Sequence, residues 1–227
     1  MNLSVIIPVY NEIEHIQEIV RRVKSTKLIK EIIIVDDGSE DGTRAILQKM
    51  DGKKKVRVIL HERNQGKGAA VVTGMHAAKG DVLLIQDADL EYDPRDYPIL
   101  LKPIKEGVAD VVYGSRFLGG SHRVTMFWHM VANKSLTLMT NILYNTILTD
   151  METGYKVFRR EVIDGMTIKA KGFNFEPEFT AKILKRNYRI FEVPISFNPR
   201  DYSQGKKIKL MDAFEAVWTL LRYRVMD

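Results

Sequence analysis

The chain has 227 residues, 45% of them hydrophobic, which is enough to bury one sizeable core and excludes a disordered protein. It contains no cysteine, which excludes a disulfide framework and a thiolate metal site. Its 35 basic and 29 acidic residues are interspersed and give a net charge of +6, so we expect no nucleic-acid partner. No apolar stretch reaches the roughly 20 residues that span a bilayer and no signal-like lead is present, so we expect a cytoplasmic protein.

The first half of the chain alternates short apolar runs with amphipathic segments. Strands are predicted at residues 3–8, 32–35, 56–60 and 81–86, with helices from residue 16, from about 41 to 50 and from 66 to 79. Strands that are joined by helices imply right-handed crossovers. The pattern therefore predicts an α/β fold with a mostly parallel central sheet that is flanked by helices.

The second half is less regular, with a strand near 110–113 and helices near 127–145 and 175–185. No linker or repeat divides the chain, so we predict a single domain over residues 1–205, followed by a basic amphipathic helix over 206–227. One face of that helix carries Leu210, Phe214, Val217, Trp218 and Leu221. Such a helix packs either on the domain core or on an anionic membrane surface.

Acidic residues follow the fourth predicted strand directly. The apolar run 82–85 leads into Asp87-Ala88-Asp89-Leu90-Glu91, and a continuous apolar run of this kind is typical of a strand buried on both faces. Residues two apart in an extended segment project to the same side, so Asp87 and Asp89 can share one hard divalent cation with diphosphate oxygens. A solvated acidic loop is the alternative, but the strand before the motif and the other motifs around it favour a nucleoside-diphosphate site that uses Mg²⁺ or Mn²⁺.

Polar residues also follow the first two strands, as Tyr10-Asn11-Glu12 and as Asp36-Asp37-Gly38. Ligands of open α/β sheets bind beyond the carboxyl ends of the strands, so these groups are expected to converge with the Asp87 segment on one rim. Capping of the following helices is the alternative role for Asp36 and Asp37. For the Gly66-Lys67-Gly68 segment, a phosphate-binding loop and a plain helix start are equally compatible with the sequence.

Several motifs, taken in order, resemble glycosyltransferase family 2. They are Ile6-Ile7-Pro8-Val9-Tyr10-Asn11-Glu12, Val35-Asp36-Asp37-Gly38-Ser39, Asn64-Gln65-Gly66-Lys67-Gly68 and Asp87-Ala88-Asp89. Gly114-Ser115-Arg116-Phe117, Thr153-Gly154-Tyr155-Lys156 and Val193-Pro194-Ile195 with Arg200 are similar to segments of the polyprenyl-phosphate glycosyltransferases of the dolichol-phosphate mannosyltransferase type. The resemblance implies a GT-A (Rossmann-like) fold, a nucleotide-sugar donor, a divalent cation and inversion at the anomeric carbon.

The resemblance also implies roles for individual residues. The implied nucleotide-sugar ligands are Pro8, Tyr10, Asn11, Glu12, Asp36, Asp37, Lys67, Asp87, Ala88 and Asp89. The implied metal ligands are Asp87, Asp89 and Glu91, and the implied catalytic residues are Asp89, Arg116 and Arg200. The residues implied to bind the acceptor phosphate are Arg116, Arg123, His129, Arg200 and Lys206.

We therefore predict a metal-dependent inverting hexosyltransferase that uses a donor of the GDP-mannose or UDP-glucose type and a polyprenyl (dolichyl or undecaprenyl) phosphate acceptor. It would lie peripherally on the cytoplasmic membrane face, alone or with a separate membrane-protein partner. A phosphate acceptor is already anionic and needs no general base. A saccharide hydroxyl of a cell-envelope glycan is the alternative acceptor, and it requires a base, for which Asp150, Glu152 and His129 are candidates.

Two functions from other protein classes are less compatible with the residues. A sugar nucleotidyltransferase would be expected to carry a glycine-rich, basic loop straight after the first strand, where this chain has Pro8-Val9-Tyr10-Asn11-Glu12. A non-catalytic nucleotide-sugar-binding protein is the other alternative. The full set of predicted metal and phosphate residues favours an enzyme over such a protein.

Overall fold

The structure, a computed structural model, describes residues 1–53, 55–119, 127–199 and 210–226, the side chains of 210–212 excepted. Seven strands form one sheet in the order β3-β2-β1-β4-β6-β5-β7. The strands are β1 (Leu3–Val9), β2 (Ile29–Asp36), β3 (Val56–Leu60), β4 (Val82–Ile85), β5 (Val111–Ser115), β6 (Lys156–Arg159) and β7 (Ile190–Pro194). The helices are α1 (Ile16–Ser25), α2 (Thr43–Met50), α3 (Lys67–Ala77), α4 (Tyr97–Lys105), α5 (Phe127–Tyr144), α6 (Phe175–Lys185) and α7 (Leu210–Val225).

All strands except β6 run in the same direction. β1 pairs in parallel with β2 and β4, and β5 pairs in parallel with β7, whereas β6 lies antiparallel between β4 and β5. This arrangement is one α/β domain with a mostly parallel sheet, which confirms the predicted fold class. Because β6 is reversed, the residues that precede Lys156 lie at the same rim as the carboxyl ends of the parallel strands.

The core is divided by the sheet into two layers. Side chains of β1 alternate between them, with Val5 and Ile7 in the layer that contains α1, α2 and α4, and Ile6 in the layer that contains α3, α5, α6 and α7. Each fully buried branched side chain contributes roughly 2 kcal/mol through removal from water. Both faces of β1 and β4 are therefore apolar, which explains their continuous hydrophobic runs.

Pro8 lies inside β1, a central strand, where proline is normally excluded because it cannot donate a backbone hydrogen bond. The β4 partner ends at Ile85, opposite Ile6, and Pro8 is paired only with Val35 of β2. The position of the missing N–H therefore faces β4, whose hydrogen bonds to β1 have already ended. Beyond this point the chain is free to leave the sheet and form the rim.

The last helix, α7, has two apolar faces. Ala216, Leu220 and Tyr223 are buried against the core, and the Tyr144 hydroxyl of α5 donates to the Leu220 carbonyl over 2.8 Å. Of the predicted stripe, Val217 packs partly against the core, whereas Phe214 and Trp218 are 62% and 66% exposed. The predicted stripe is thus not the face that packs on the domain.

Candidate active site

The loops after β1 and β2 are joined to each other by hydrogen bonds. The Asn11 amide donates to Ser39 Oγ over 2.9 Å, and the Glu40 amide donates to Asn11 Oδ1 over 2.9 Å. Asn11 has a φ of +54°, a left-handed conformation that asparagine tolerates better than most residues. The Glu12 amide donates to Thr43 Oγ1 at the start of α2. The predicted nucleotide loop is therefore a fixed element of the rim.

Asp36 and Asp37 are buried and hold the surrounding loops in place. Asp36 Oδ2 lies 2.7 Å from Arg44 Nε, and Asp37 accepts from the backbone amides of Gln65 and Gly66 at 3.0 and 2.8 Å. His61 Nδ1 lies 2.7 Å from Asp37 Oδ1. These contacts give both carboxylates a structural role other than the expected capping of α2, whose N-cap is Gly42. Contact with a base or ribose stays a prediction.

Lys67, the first residue of α3, joins two carboxylates from distant parts of the chain. Its Nζ lies 2.9 Å from Asp87 Oδ1 and 3.2 Å from Glu176 Oε1. Burial lowers the pKa of Lys67, but the Asp87 and Glu176 carboxylates outweigh burial, so the pKa is raised and the ammonium stays charged. Lys67 therefore supplies a fixed positive charge beside the Asp87 carboxylate.

The glycines on either side of Lys67 are needed for close packing. Gly66 has a φ of +100°, and a Cβ there would lie 2.3 Å from the Lys171 carbonyl oxygen. A Cβ on Gly68 would lie 2.7 Å from the Ala170 carbonyl oxygen. The contacts around these glycines are thus with the segment that leads into α6, and they bring Glu176 next to Lys67.

The segment after β4 turns sharply at Leu90, which has a φ of +64°. The Glu91 amide donates to Asp89 Oδ1 over 3.1 Å, and Ala88 is buried in the core. The next residue, Tyr92, is buried, and its ring centroid lies 5.4 Å from that of Phe197. The turn therefore fixes the backbone that carries Asp87, Asp89 and Glu91 to the rim.

Gly154 allows the segment before β6 to approach this turn. A Cβ at Gly154 would lie only 2.3 Å from Asp87 Oδ2, and the Gly154 amide donates to the Tyr92 hydroxyl over 3.0 Å. A side chain at this position would have to displace Asp87. Gly154 therefore helps to determine the position of Asp87. Gly154 was named from the sequence only as part of a motif.

Arg116 follows β5 and forms a bidentate ion pair with Asp150. Its Nε and Nη2 lie 2.7 and 2.6 Å from the two Asp150 oxygens, and its backbone amide also donates to Asp150. Asp150 is fully buried, and the Arg116 Cζ lies 5.3 Å from the Phe197 ring centroid. Both Asp150 oxygens are committed to Arg116, so Asp150 is poorly suited to act as a base.

Two further ionisable groups, Glu152 and Lys156, lie next to this pair. Lys156 is fully buried and donates to the carbonyls of Met151 and Thr153, so burial lowers its pKa despite the nearby carboxylates. Burial, together with the neighbouring Glu176 carboxylate, raises the pKa of Glu152. This end of the sheet therefore contains a dense set of buried charges.

The structure brings most predicted site residues to this rim. Tyr10, Asn11, Glu12, Asp36, Asp37, Lys67, Asp87, Asp89, Glu91 and Arg116 all follow the carboxyl ends of strands or begin the helix after one. His129 lies in the first turn of α5. Arg123, Arg200 and Lys206 lie outside the described residues.

Sequence reasoning missed Glu176 and gave Lys156 no role in the site. Glu176 occupies the first turn of α6, where an acidic residue is adequately explained by helix capping. Its contact with Lys67 spans 109 positions of the chain, so no local spacing could indicate it.

The donor set is compatible with a hard divalent cation shared with a substrate. Within the described ranges, no cluster of three or more His, Asp or Glu side chains forms a metal site made only of protein groups. Mg²⁺ is commonly bound by one or two carboxylates together with substrate phosphates, and Asp87 and Asp89 supply such a pair. The residues present therefore fit a metal–diphosphate site.

Comparison with known proteins agrees with this geometry. Residues 4–166 match the family model described as Glycosyl transferase family 2. The chain belongs to this family, and the protein is a glycosyltransferase.

Its relatives include proteins from archaea and bacteria. The chain is 34% identical over 212 residues to a dolichol-phosphate mannosyltransferase of Pyrococcus furiosus, and the match covers 91% of this chain and 59% of that protein. It is 33% identical to a polyprenol monophosphomannose synthase of Mycolicibacterium smegmatis, with 89% and 79% covered. It is 31% identical to an undecaprenyl-phosphate mannosyltransferase of Micrococcus luteus, with 91% and 87% covered.

Solved structures confirm the predicted GT-A fold. Glucosyl-3-phosphoglycerate synthase of Mycobacterium tuberculosis, in complex with phosphoglyceric acid, matches with a TM-score of 0.77 at 20% identity, covering 100% of this chain and 81% of that chain. The same enzyme in complex with Mn²⁺, uridine diphosphate and phosphoglyceric acid matches with a TM-score of 0.76 at 21% identity, covering 100% and 79%. At this identity the likeness concerns the fold.

Proposed function

We propose that this glycosyltransferase moves a hexose from a nucleotide sugar to a polyprenyl phosphate, using Mg²⁺ or Mn²⁺. The observation that carries the proposal is a continuous chain of contacts between the predicted donor site and the predicted acceptor site. Asp87 touches Gly154, which donates to Tyr92, and Tyr92 packs on Phe197. The Phe197 ring in turn lies against Arg116. Both ends of a transfer reaction would thereby lie along one rim.

On the donor side, Asp87 and Asp89 would hold the cation and the nucleoside diphosphate. The chemistry that a bound cation supplies is Lewis-acid neutralisation of charge on the leaving diphosphate. Lys67 contributes a second, permanent positive charge at the same place, because its pKa is raised by the two carboxylates that it contacts. The loops that contain Asn11 and Asp37 would shape the pocket for the base and ribose.

On the acceptor side, Arg116 suits a phosphate because a guanidinium pairs with two oxygens at once. Asp150 orients the guanidinium from behind, so its remaining edge is directed rather than free to rotate. A phosphate needs no base, which agrees with the full pairing of Asp150. The names of the three relatives support this class of acceptor. Each name refers to a dolichol, polyprenol or undecaprenyl phosphate carrier or to its mannosyl product.

A lipid acceptor requires the protein to meet a membrane. Among the described residues, no helix is both long and apolar enough to cross one. Exposed apolar side chains lie on two helices that pack against each other, Phe127 and Trp128 on α5 and Phe214, Trp218 and Val225 on α7, and we refer to this set as the outer face. Arg222 and Arg224 are exposed next to this face. Aromatic side chains beside arginines are typical of surfaces that bind anionic bilayers, so we assign this face to peripheral membrane contact.

Binding of nucleoside diphosphates tests the donor site. Asp89→Ala should abolish Mn²⁺-dependent binding of GDP or UDP while the thermal unfolding midpoint stays within a few degrees of wild type. Calorimetric titration with and without Mn²⁺ measures this. Unchanged affinity in the presence of Mn²⁺ would remove the assignment of Asp89 to the metal.

A further inference from the structure

The buried charges next to Asp87 leave two carboxylate oxygens without partners. Among the described residues, neither Glu152 Oε1 nor Glu176 Oε2 has a hydrogen-bond partner, although both atoms are buried. Glu176 is only 5% exposed. An unsatisfied buried acceptor costs about 1–3 kcal/mol, and more when it is charged, so each oxygen is a candidate acceptor for a donor from a bound molecule.

These oxygens lie beside the proposed donor site rather than in a separate cavity. Glu176 Oε1 shares the Lys67 ammonium with Asp87, and Glu152 lies two residues before Gly154, which packs closely against the Asp87 carboxylate. Glu152 and Glu176 are also close enough to each other for the charge of Glu176 to raise the pKa of Glu152. The unpaired oxygens therefore lie close to the acid that would bind the diphosphate.

The chemistry of this lining excludes the charged parts of the substrates. A diphosphate or an acceptor phosphate would be repelled by the Glu176 carboxylate, and neither group carries hydrogen-bond donors at neutral pH. A metal ion is not expected between Asp87 and Glu176, since the Lys67 ammonium already occupies that position. The part of a nucleotide sugar that is neutral, rich in donors and adjacent to the diphosphate is the hexose.

We infer that Glu152 and Glu176 form the hexose pocket and accept hydrogen bonds from hydroxyl groups of the transferred sugar. This inference rests on the proposed use of a nucleotide-sugar donor. Lys67 compensates the charge of Glu176 through its other oxygen, and Lys156 donates to backbone carbonyls, so neither lysine uses the unpaired oxygens. The two glutamates thus select the sugar by its hydroxyl pattern, whereas the metal site recognises the diphosphate.

The test compares binding of a nucleoside diphosphate with binding of the corresponding nucleotide hexose, both with Mn²⁺ and without lipid. For Glu152→Ala we expect the affinity for GDP-mannose or UDP-glucose, whichever the wild type binds, to fall about 5- to 30-fold. The affinity for GDP or UDP should change less than about twofold. Glu161→Ala is the matched control, because exposed Glu161 follows the carboxyl end of β6 at the opposite rim of the sheet, and it should change neither affinity.

Donor analogues that lack one hydroxyl at a time identify the contact. If Glu152 accepts from a given hydroxyl, removing that hydroxyl should weaken binding to the wild type but have little further effect on Glu152→Ala, because both changes remove the same bond. Glu176→Gln should show the same pattern for a hydroxyl. Glu152→Gln, which keeps the shape of the side chain, replaces Glu152→Ala if thermal unfolding shows that the alanine variant is not folded.

Two results would overturn the inference. One is an equal loss of affinity for the nucleoside diphosphate and for the nucleotide hexose, which would place the glutamates in the diphosphate or metal site. The other is an unchanged preference among the deoxy analogues in both glutamate variants. Lipid-dependent release by the wild type tests the proposed function separately, so its failure is distinguishable from failure of the hexose pocket.

Discussion

Lys67 binds Asp87 through a partly buried ion pair, with Nζ 2.9 Å from Oδ1 and side chains 21% and 15% exposed, and the same ammonium contacts Glu176. Removing one partner of a fully buried pair costs about 3–5 kcal/mol, and for this partly exposed pair we expect about 2 kcal/mol. Lys67→Ala should lower the free energy of unfolding by about that amount, measured by urea denaturation. Lys102→Ala removes an exposed partner of Glu106 at 3.8 Å and should cost less than about 1 kcal/mol. Equal costs for the two variants would contradict a structural role for the Lys67 pair.

A substitution at Gly154 should disturb the metal–diphosphate site without removing any ligand. The added Cβ of Gly154→Ala would lie 2.3 Å from Asp87 Oδ2, so the carboxylate must move. We expect at least about tenfold weaker binding of GDP or UDP with Mn²⁺, since a carboxylate displaced by about 1 Å no longer fits the cation. Gly172→Ala is the control, because its Cβ would lie 3.6 Å from Asn174 Oδ1. Wild-type affinity in Gly154→Ala would show that the Asp87 position is not critical.

Arg116 and Asp150 should behave as one unit. Lysine cannot reproduce the two parallel hydrogen bonds to Asp150, so Arg116→Lys should raise the KM for the polyprenyl phosphate at least about tenfold. The affinity for the nucleoside diphosphate should be retained. Asp150→Asn should have a similar effect. The free-energy cost of the double substitution, calculated from the KM values, should be smaller than the sum of the two single costs. A selective loss of donor binding in Arg116→Lys would refute the acceptor role.

Glu152 should make stability depend on pH. Burial and the neighbouring Glu176 raise the pKa of Glu152 from 4.5 to about 8, so the native state binds this proton more tightly than the unfolded chain does. The free energy of unfolding should therefore fall as the pH rises from about 5 to 8, by about 1 kcal/mol or more from this group. Burial lowers the pKa of Lys156, and the resulting change in the free energy of unfolding occurs above pH 8. Glu152→Gln should flatten the fall between pH 5 and pH 8 in urea denaturation, and an unchanged slope would contradict it.

The exposed aromatic residues should report membrane contact. Trp128 and Trp218 are 76% and 66% exposed, and they are the two tryptophans of the chain. Binding to vesicles that contain anionic lipid should shift their fluorescence to the blue, and Trp218→Ser should weaken binding several-fold. Exposed Leu60→Ser, on β3 at the other end of the sheet order, is the control. Equal vesicle binding by wild type and Trp218→Ser would exclude this face as the contact.

Local sequence signals were sufficient for the regular half of the fold. β3 and α6 have the predicted bounds, and β1, β2, β4 and α3 lie within a few residues of the predicted ones. The signals are strong there because continuous apolar runs alternate with helical periodicity. Helix α4 was not predicted: Pro98 and Pro103 interrupt the helical pattern, although Pro98 lies in the first turn, where its missing N–H costs little. Strand β7 was also missed, since Pro194 and two half-exposed residues weaken its pattern.

For the site, sequence order predicted which loops reach the rim but not which side chains meet there. The sequence did not indicate that Asp36 and Asp37 bind Arg44, His61 and backbone amides, and their contact with a nucleotide stays a prediction. Such contacts depend on loop conformations that no periodicity encodes. The same holds for Glu176, whose position near Asp87 depends on close packing at two glycines.

The most direct test of the proposed transfer is release of nucleoside diphosphate from GDP- and UDP-sugars with Mn²⁺, with and without a polyprenyl phosphate in detergent. We predict fast release from one donor that requires the lipid, together with formation of the glycosylated lipid phosphate. Slow release that is indifferent to the lipid would contradict the polyprenyl-phosphate acceptor and favour a saccharide hydroxyl. Absence of release from every donor would contradict the assignment of the donor site.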